Sequence, residues 1–438
     1  MFDIITFIPN GKIGGEMKKV AFYTLGCKTN QYETNHMMDL FKKAGYEVTD
    51  FESFADVYVV NTCTVTNMSD RKSRQVIHKT KEHNPDSILC VVGCYAQVAK
   101  DELQKIEDVD IILGTNDRKE IVNKVQTFEH EKICEVNDIM KVRQYEEWGG
   151  TAYSERARVE IKIQDGCDRY CTYCIIPYAR GPVRSRKMED MYSEVLAISK
   201  TGIQEVVFTG IHIASYGMDL SKEIRLIDLL EKVHTIEGIE RIRLGSLEPG
   251  IITEEFVSRL KALPKVCNHF HLSLQSGCDE TLKRMNRRYT TSEFAKRVKL
   301  LRENIPEVAL TTDIIVGFPG ETEEEFQKTY EFLKEIQFSK MHIFKYSPRK
   351  GTPAATLPDQ VDGNIKEERS HLLIVLSDEN EKKFASQYIG KEIAVLFENE
   401  TEGHTSNYLK CVSRKARQAN IIENVRALEF ENGNLIVE

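Results

Sequence analysis

No apolar run of about eighteen residues or more occurs in the chain, so nothing in it has the length and hydropathy of a bilayer-spanning helix. The opening residues, MFDIITFIPNGKIGGEMKKV, lack a basic stretch followed by a sustained apolar segment and a small-residue cleavage site. That lack argues against secretion and for a cytoplasmic address with no membrane partner. Positive charge is also not in excess: 60 Lys+Arg stand against 68 Asp+Glu, a net charge of -8. No global field draws a polyanion, and any contact with RNA must rest on local patches. There is no low-complexity tract, and only one tryptophan, Trp148.

What remains is an ordinary globular composition, 41% hydrophobic and 29% charged, over 438 residues. That length exceeds one ordinary core and implies two or three domains. There are eleven cysteines. A reducing compartment rarely lets thiols form structural disulfides, so these are metal ligands or buried apolar side chains.

The string Ile13-Gly14-Gly15-Glu16 before Met17 can be encoded by a purine-rich run resembling a bacterial ribosome-binding site. We therefore expect residues 1–16 to be translated leader, with a genuine short extension as the alternative. From 17 to 136 the pattern alternates strand and helix. Apolar runs at Val20–Leu25, Val57–Val60, Ile88–Val92 and Ile111–Leu113 predict buried parallel strands, and amphipathic stretches at Tyr32–Lys43, Asp70–Glu82 and Val98–Ile106 predict helices. This is an open α/β sheet of flavodoxin-like type. Residues 137–155, polar and holding Trp148 and Gly149-Gly150, read as a linker.

A second βα series fills 156–375, with strands predicted at Val159–Ile163, Glu205–Thr209, Arg241–Leu244, Phe270–Leu274, Ala309–Val316 and Met341–Tyr346. Six units are too few for the eight-stranded barrel but suit a partial (β/α)6 barrel, whose active site lies at the C-terminal ends of its strands. After a helix around Ile365–Gln387, residues to 438 turn strand-rich, so 376–438 is expected to hold a small β-barrel.

Two sets of three cysteines stand out. Cys167, Cys171 and Cys174 form C-x3-C-x2-C directly after the strand VEIKIQ. Three thiolates from one short loop can hold three irons of a [4Fe-4S] cube, and with no fourth cysteine nearby one iron is left open to bind substrate. S-adenosylmethionine can chelate that iron through its amino and carboxylate groups. The spacing, on the first strand of a βα barrel, resembles the radical S-adenosylmethionine superfamily; a three-cysteine zinc knuckle with a distant fourth ligand is the alternative. The other set is dispersed but regular: Cys27 in TLGC, Cys63 in VVNTC and Cys94 in VVGC each follow a predicted strand. In a parallel sheet these ends share one edge, so the sulfurs should converge on a second cluster with a free iron. Scattered cysteines are otherwise core residues. That reading is applied to Cys90, Cys134, Cys267, Cys278 and Cys411.

Together LGCKTNQYET, NTCTVT, VVGCYAQ and DGCDRYCTYCIIPYARGPVRSR resemble the methylthiotransferase family, and the likeness runs from Met17 nearly to the end, including a C-terminal segment similar to a TRAM RNA-binding domain. Within the family, GCKTNQYE and NTCTVTNMSDRKSRQ look most like the branch that modifies N6-threonylcarbamoyladenosine at position 37 of tRNA. The resemblance implies two [4Fe-4S] clusters and two molecules of S-adenosylmethionine. One molecule methylates a sulfur attached to the N-terminal cluster; the other supplies the radical that drives methylthio transfer to carbon 2 of the adenine. It implies tRNA as partner and an electron donor such as a flavodoxin or ferredoxin.

Places at barrel strand ends assign further positions. Tyr173 is expected against the adenine of S-adenosylmethionine, or else in the core. Gly210 lets a backbone approach the methionine moiety. Ser246, Glu248, Gln275, Ser276 and Val316 complete a ring of cofactor contacts, each with ordinary loop chemistry as the alternative. A threonylcarbamoyl carboxylate calls for a guanidinium, for which Arg180, Arg184, Arg186 and Arg349 are the candidates. Basic patches at Arg71, Lys72 and Arg74, at Lys283, Arg284, Arg287 and Arg288, and at Arg414, Lys415 and Arg417 are candidate RNA surfaces, with stacking on Tyr408, or solvated faces. Rival functions are methylthio transfer to prenyladenosine-37 tRNA or to a ribosomal protein, and, from another class, a zinc-stabilised RNA-binding protein without catalysis.

Overall fold

The computed structural model of the chain describes residues 12–13, 16–149 and 157–438. Of the expected leader, this leaves Lys12–Ile13, paired antiparallel with Glu16–Met17; the rest of it, and residues 150–155 of the expected linker, lie outside the described residues. The chain divides into two compact units, one of Met1–Ala152, Gly166–Asp168 and Ile175–Pro182, the other of the remainder.

The first unit is built on a six-stranded parallel sheet in the order Glu47–Thr49, Lys19–Thr24, Val57–Thr62, Ile88–Gly93, Ile111–Leu113, Ile133–Glu135. The four expected strands are its centre. The two that the apolar pattern did not announce lie at its edges; Glu47–Thr49 is not fully buried on either face, so it carries no continuous apolar run. Helices Lys28–Lys43 and Asn67–His83 cover the sheet, the second capped by Thr66, whose side chain accepts from the Ser69 N–H. The expected helix at Val98–Ile106 is instead two short ones, Cys94–Val98 and Lys100–Leu103. Strand order reverses beside Lys19–Thr24, because Glu47–Thr49 joins one side and Val57–Thr62 the other. A crevice opens at such a switch point, at the carboxyl ends of the strands. Residues up to Gly149 belong to this unit: Trp148 is buried in its core and stacks on His36, with ring centroids 5.8 Å apart.

In the second unit, Arg158–Asp165, Glu205–Gly210 and Arg241–Leu244 form one parallel sheet, with Arg184–Ser185 added antiparallel to the first. His269–His271, Ala309–Val316 and Lys340–Lys345 form another. Parallel bridges Ile242–Val266 and Leu247–Leu272 connect them, giving the six-stranded partial barrel. Its outward side chains, among them Ile161, Phe208, Leu272 and Ile314, pack under the surrounding helices in one large core. Helix Gly363–Ser386 lies along the last strand, where Ser377 Oγ accepts from the Met341 N–H at 2.9 Å. A closed five-stranded barrel follows, in the order Glu392–Phe397, Glu402–Thr405, Lys410–Ser413, Asn434–Val437, Ile422–Glu431. Among the described residues no helix is long and apolar enough to cross a membrane.

Candidate functional site

In the first unit, Cys27, Cys63 and Cys94 each follow a neighbouring strand of the sheet, at its carboxyl edge. Cys27 is the N-cap of helix Lys28–Lys43, which has no acidic residue in its first turn. Cys63 is buried, and burial pushes its thiol up. Cys94 opens its own short helix and is also buried; burial pushes its thiol up to about 12, against the opposing pull of Arg180, and the charges of Cys63 and Cys27 bear on it. Two glycines make this approach possible. Gly26 has φ +108°, and a Cβ there would lie 2.8 Å from the Cys63 Cβ and 2.9 Å from its Sγ. Gly93 has φ +98°, and a Cβ there would lie 2.7 Å from the Thr62 carbonyl oxygen. Among the described residues no trio of His, Cys, Asp or Glu side chains is set around a single ion position. A cubane cluster does not require one, since each thiolate takes a different iron.

Polar groups that the sequence did not single out lock this edge. Asn30, one helical turn from Cys27, donates from Nδ2 to the Leu25 and Thr62 carbonyls at 2.7 and 3.1 Å. Asn61 donates to the Asn30 carbonyl and to Thr34 Oγ1, both at 3.0 Å. Glu33 is fully buried between two arginines, Arg118 and Arg180, and Arg118 also meets Glu146 at 3.3 Å. The Arg180 Nε donates to Cys94 Sγ at 3.1 Å, and its Nη2 to Asn30 Oδ1 at 2.6 Å. Arg180, expected at the substrate carboxylate, thus belongs to the first unit and is occupied at its cysteine edge. The available signal was the buried polar pair Asn30 and Glu33, spaced to share the helix face behind Cys27.

In the second unit, the loop after strand Arg158–Asp165 carries Cys171 and Cys174; Cys167, just before them, donates its N–H to the Gly181 carbonyl at 3.0 Å within the first unit. Thr172 donates from its N–H to the Met285 carbonyl and accepts at its own carbonyl from the Ala354 N–H. Arg287 donates from Nη1 to Cys171 Sγ at 3.2 Å, from Nη2 to the Ser273 carbonyl at 3.0 Å and from Nε to the Tyr289 hydroxyl at 2.9 Å. This corrects the reading of Arg287 as an RNA-patch residue. Its neighbour Arg284 also turns inward, to Glu325 and the Gly320 carbonyl, so only Lys283 and Arg288 of that patch are exposed.

The remaining strand-end positions fall as follows. Tyr173 packs against Met285, Phe318, Tyr346 and Ala354, and burial pushes its hydroxyl well up. Glu248 is held by Arg169 Nη2 at 2.5 Å and His212 Nε2 at 3.3 Å. Burial alone would raise its carboxyl, but the bond to His212 and the charges of His212, Arg169 and Arg287 outweigh it and hold the group below the usual range. Gln164 Oε1 in turn accepts from the His212 N–H at 2.7 Å. A Cβ on Gly210 would lie 2.8 Å from the Gln164 carbonyl oxygen, so this glycine is required for backbone packing. Ser246 is exposed. Gln275 has φ +74° and Ser276 is buried beside Thr329, at 3.3 Å. Val316 turns its side chain into the core. Arg184 faces Asp165 at 3.5 Å, Arg186 is paired with Glu194, and Arg349 is buried.

In the C-terminal barrel Arg414 pairs with Glu429, Lys415 with Glu438 at 2.6 Å and Arg417 with Glu423 at 3.1 Å. The candidate RNA patch is therefore locally neutralised. Tyr408 is stacked on by His269 and by His404, each at 4.9 Å, which takes the ring up in docking this barrel onto the larger one.

The radical SAM superfamily profile matches residues 161–333, and that of uncharacterized protein family UPF0004 matches residues 19–114. The threonylcarbamoyladenosine tRNA methylthiotransferase MtaB of Bacillus subtilis (strain 168) is 48% identical over 408 residues, covering 90% of this chain and 90% of that one. The tRNA-2-methylthio-N(6)-dimethylallyladenosine synthase of Clostridium tetani (strain Massachusetts / E88) is 35% identical over 410 residues, 92% of this chain and 90% of its own. Among solved structures, the radical S-adenosylmethionine methyltransferase TsrM from Kitasatospora setae is alike in fold, with TM-score 0.56 over 77% of each chain at 15% identity. Such coverage and identity, over a chain that carries both cysteine sets on the expected architecture, mean that it belongs to the radical S-adenosylmethionine methylthiotransferase family.

Proposed function

We propose that the chain converts N6-threonylcarbamoyladenosine at position 37 of tRNA to its 2-methylthio derivative, in the cytoplasm, using two [4Fe-4S] clusters and two molecules of S-adenosylmethionine. One observation carries the choice of substrate: identity is 48% to the relative named for threonylcarbamoyladenosine, against 35% to the one named for dimethylallyladenosine.

Cys167, Cys171 and Cys174 are assigned to the barrel cluster, and Cys27, Cys63 and Cys94 to the second. The donor sets fit: each is all thiol, and in each a cysteine sulfur accepts an N–H from an arginine, Arg180 at Cys94 and Arg287 at Cys171. Hydrogen bonds of this kind orient the ligands of a metal site. When bound, the barrel cluster supplies the electron that cleaves S-adenosylmethionine, and the other supplies the sulfur centre from which the methylthio group is transferred.

The chain's own residues bind and orient. Tyr173, Gly210, Ser246, Glu248, Gln275, Ser276 and Val316 are proposed to surround S-adenosylmethionine, with Glu248 held ionised by Arg169 and His212 as the anchor for a cationic or hydroxyl group. Arg184, Arg186 and Arg349 remain the candidates to hold substrate. Domains are assigned as 17–136 for the N-terminal cluster, 137–155 as the segment that leads on from it and whose residues up to Gly149 pack with it, 156–375 for the radical chemistry and 376–438 for RNA, the last through Arg414, Lys415 and Arg417. An external one-electron donor, such as a flavodoxin or ferredoxin, completes the reaction.

The test is reconstitution with tRNA bearing threonylcarbamoyladenosine, prenyladenosine or unmodified adenosine, and with ribosomal peptides, followed by mass spectrometry. Methylthiolation of the threonylcarbamoylated tRNA first and fastest is expected. Preference for prenylated tRNA or for peptide overturns the substrate, and zinc in place of iron overturns the chemistry.

A further inference from the structure

Arg180 and Arg287 occupy equivalent chemical positions in the two compact units. Each aims one N–H at a ligand cysteine, 3.1 Å to Cys94 and 3.2 Å to Cys171, and each is tied through its other two nitrogens to protein acceptors. Neither guanidinium can swing away without losing those bonds, so the donor is held in place before any cluster arrives. The settings differ in charge. Arg287 has neutral hydrogen-bond partners in the Ser273 carbonyl and the Tyr289 hydroxyl, with the Glu248 carboxylate within reach of its charge but not bonded to it. Arg180 is compensated by the buried carboxylate of Glu33, which Arg118 shares, with Glu146 beyond it. Among these side chains it is the cation, Arg180, that touches the sulfur, and the Glu33 carboxylate stands behind it.

We propose that Arg180 and Arg287 are positioning residues that set the reduction potentials of the two clusters through these sulfur hydrogen bonds, and that Glu33 tunes the N-terminal one by offsetting the charge of Arg180. The inference rests on the assignment of both cysteine sets as cluster ligands. A hydrogen bond to sulfur and a nearby cation both stabilise the form of a cluster that has taken up an electron, and so raise its potential. The step involved is uptake of one electron from an external reductant, dithionite in the test; no bond breaks and the guanidinium keeps its proton. Removing the donor lowers the potential. Removing Glu33's charge leaves Arg180 uncompensated and raises it. A residue that only held the fold would not produce shifts of opposite sign.

The experiment is a dithionite titration followed by electron paramagnetic resonance on the anaerobically reconstituted full-length chain. To separate the signals, it is repeated in full-length chains lacking Cys167, Cys171 and Cys174, or lacking Cys27, Cys63 and Cys94. Iron and sulfide are measured on every sample. Arg180→Gln and the milder Arg180→Lys should move the N-terminal midpoint to more negative potential and leave the barrel midpoint in place. Arg287→Gln should do the reverse. Glu33→Gln should move the N-terminal midpoint to more positive potential. With cluster iron retained, an unmoved N-terminal midpoint in Arg180→Gln, or shifts of the same sign in the Arg180 and Glu33 variants, overturns the proposal. So does loss of the N-terminal cluster from both Arg180 variants, which would assign Arg180 to holding the fold. Wild-type chain with about four irons in place of about eight would instead overturn the two-cluster reading itself.

Discussion

The guanidinium carbon of Arg243 lies 4.6 Å from the centroid of the Tyr408 ring. Arg243 also donates to Glu205 at 2.7 Å and to the Ser406 and Thr405 carbonyls at 2.9 and 3.2 Å, while Arg241 reaches the His404 and Ala394 carbonyls, both at 2.9 Å. The C-terminal barrel is therefore held to the larger barrel by buried arginines that leave one strand's start and find their acceptors in another fold. Arg243→Met, which strands Glu205 without its main partner, should lower the stability of the second unit by about 3–5 kcal/mol. Tyr408→Ala should lower it by about 2 kcal/mol through the lost cation–π contact. Urea denaturation monitored by circular dichroism measures both.

Acid should weaken the same junction. Burial would raise the Glu205 carboxyl, but Arg243, with Arg158 and Arg241, outweighs it and holds the group below its ordinary 4.5. A carboxyl depressed in the folded state contributes stability that is fully present above that ordinary value and is lost as pH falls through the depressed one. Wild-type stability should thus decline below about pH 4.5 more steeply than that of Glu205→Gln, which is weaker at neutral pH but lacks this titration. A parallel decline of the two proteins would contradict it.

Gly26→Ala should disrupt the N-terminal cysteine edge. The added methyl meets Cys63 Cβ at 2.8 Å, at a backbone φ of +108°. Strain of about 1–3 kcal/mol and displacement of Cys63 follow, with loss of about four of eight irons. Gly45 has φ +86° with nothing within 4 Å of an added Cβ. Gly45→Ala should therefore carry strain alone and keep its iron, which iron analysis of the two variants checks.

The carboxylates beside the C-terminal basic patch should restrain RNA binding. Glu429→Gln and Glu438→Gln free Arg414 and Lys415 from their partners. If this face meets phosphate, tRNA affinity should rise and the salt dependence steepen by roughly 0.9 per added contact. Unchanged affinity and slope in filter-binding assays would remove the patch from the RNA surface.

Much of this arrangement was legible in the sequence because it is local. Gly26-Cys27, Gly93-Cys94 and Gly166-Cys167 each place a glycine at positive φ just before a cysteine proposed as a ligand, and strand ends fix where those turns fall. Tight apolar runs such as Val57–Val60 could be read because every residue in them is buried, while the polar Asn61 and Thr62 that extend the strand could not. What was not legible depends on distant partners. Arg287 sits in a run of basic residues that reads as a surface patch, and only the fold turns it onto Cys171. Tyr408 reads as an exposed stacking aromatic until His269, far away in sequence, is placed on its face. Glu33 resembles any helical glutamate before Arg118 and Arg180 close over it.

The central claim, that the two cysteine sets perform different half-reactions, is tested most directly by comparing Cys171→Ala with Cys63→Ala in one reconstituted assay that quantifies both 5′-deoxyadenosine and methylthiolated nucleoside. Cys171→Ala is predicted to form neither product while retaining the N-terminal iron. Cys63→Ala is predicted to retain reductive cleavage, at least in part, and to lose methylthio insertion. Methylthiolation of tRNA by Cys63→Ala at the wild-type rate would contradict the account.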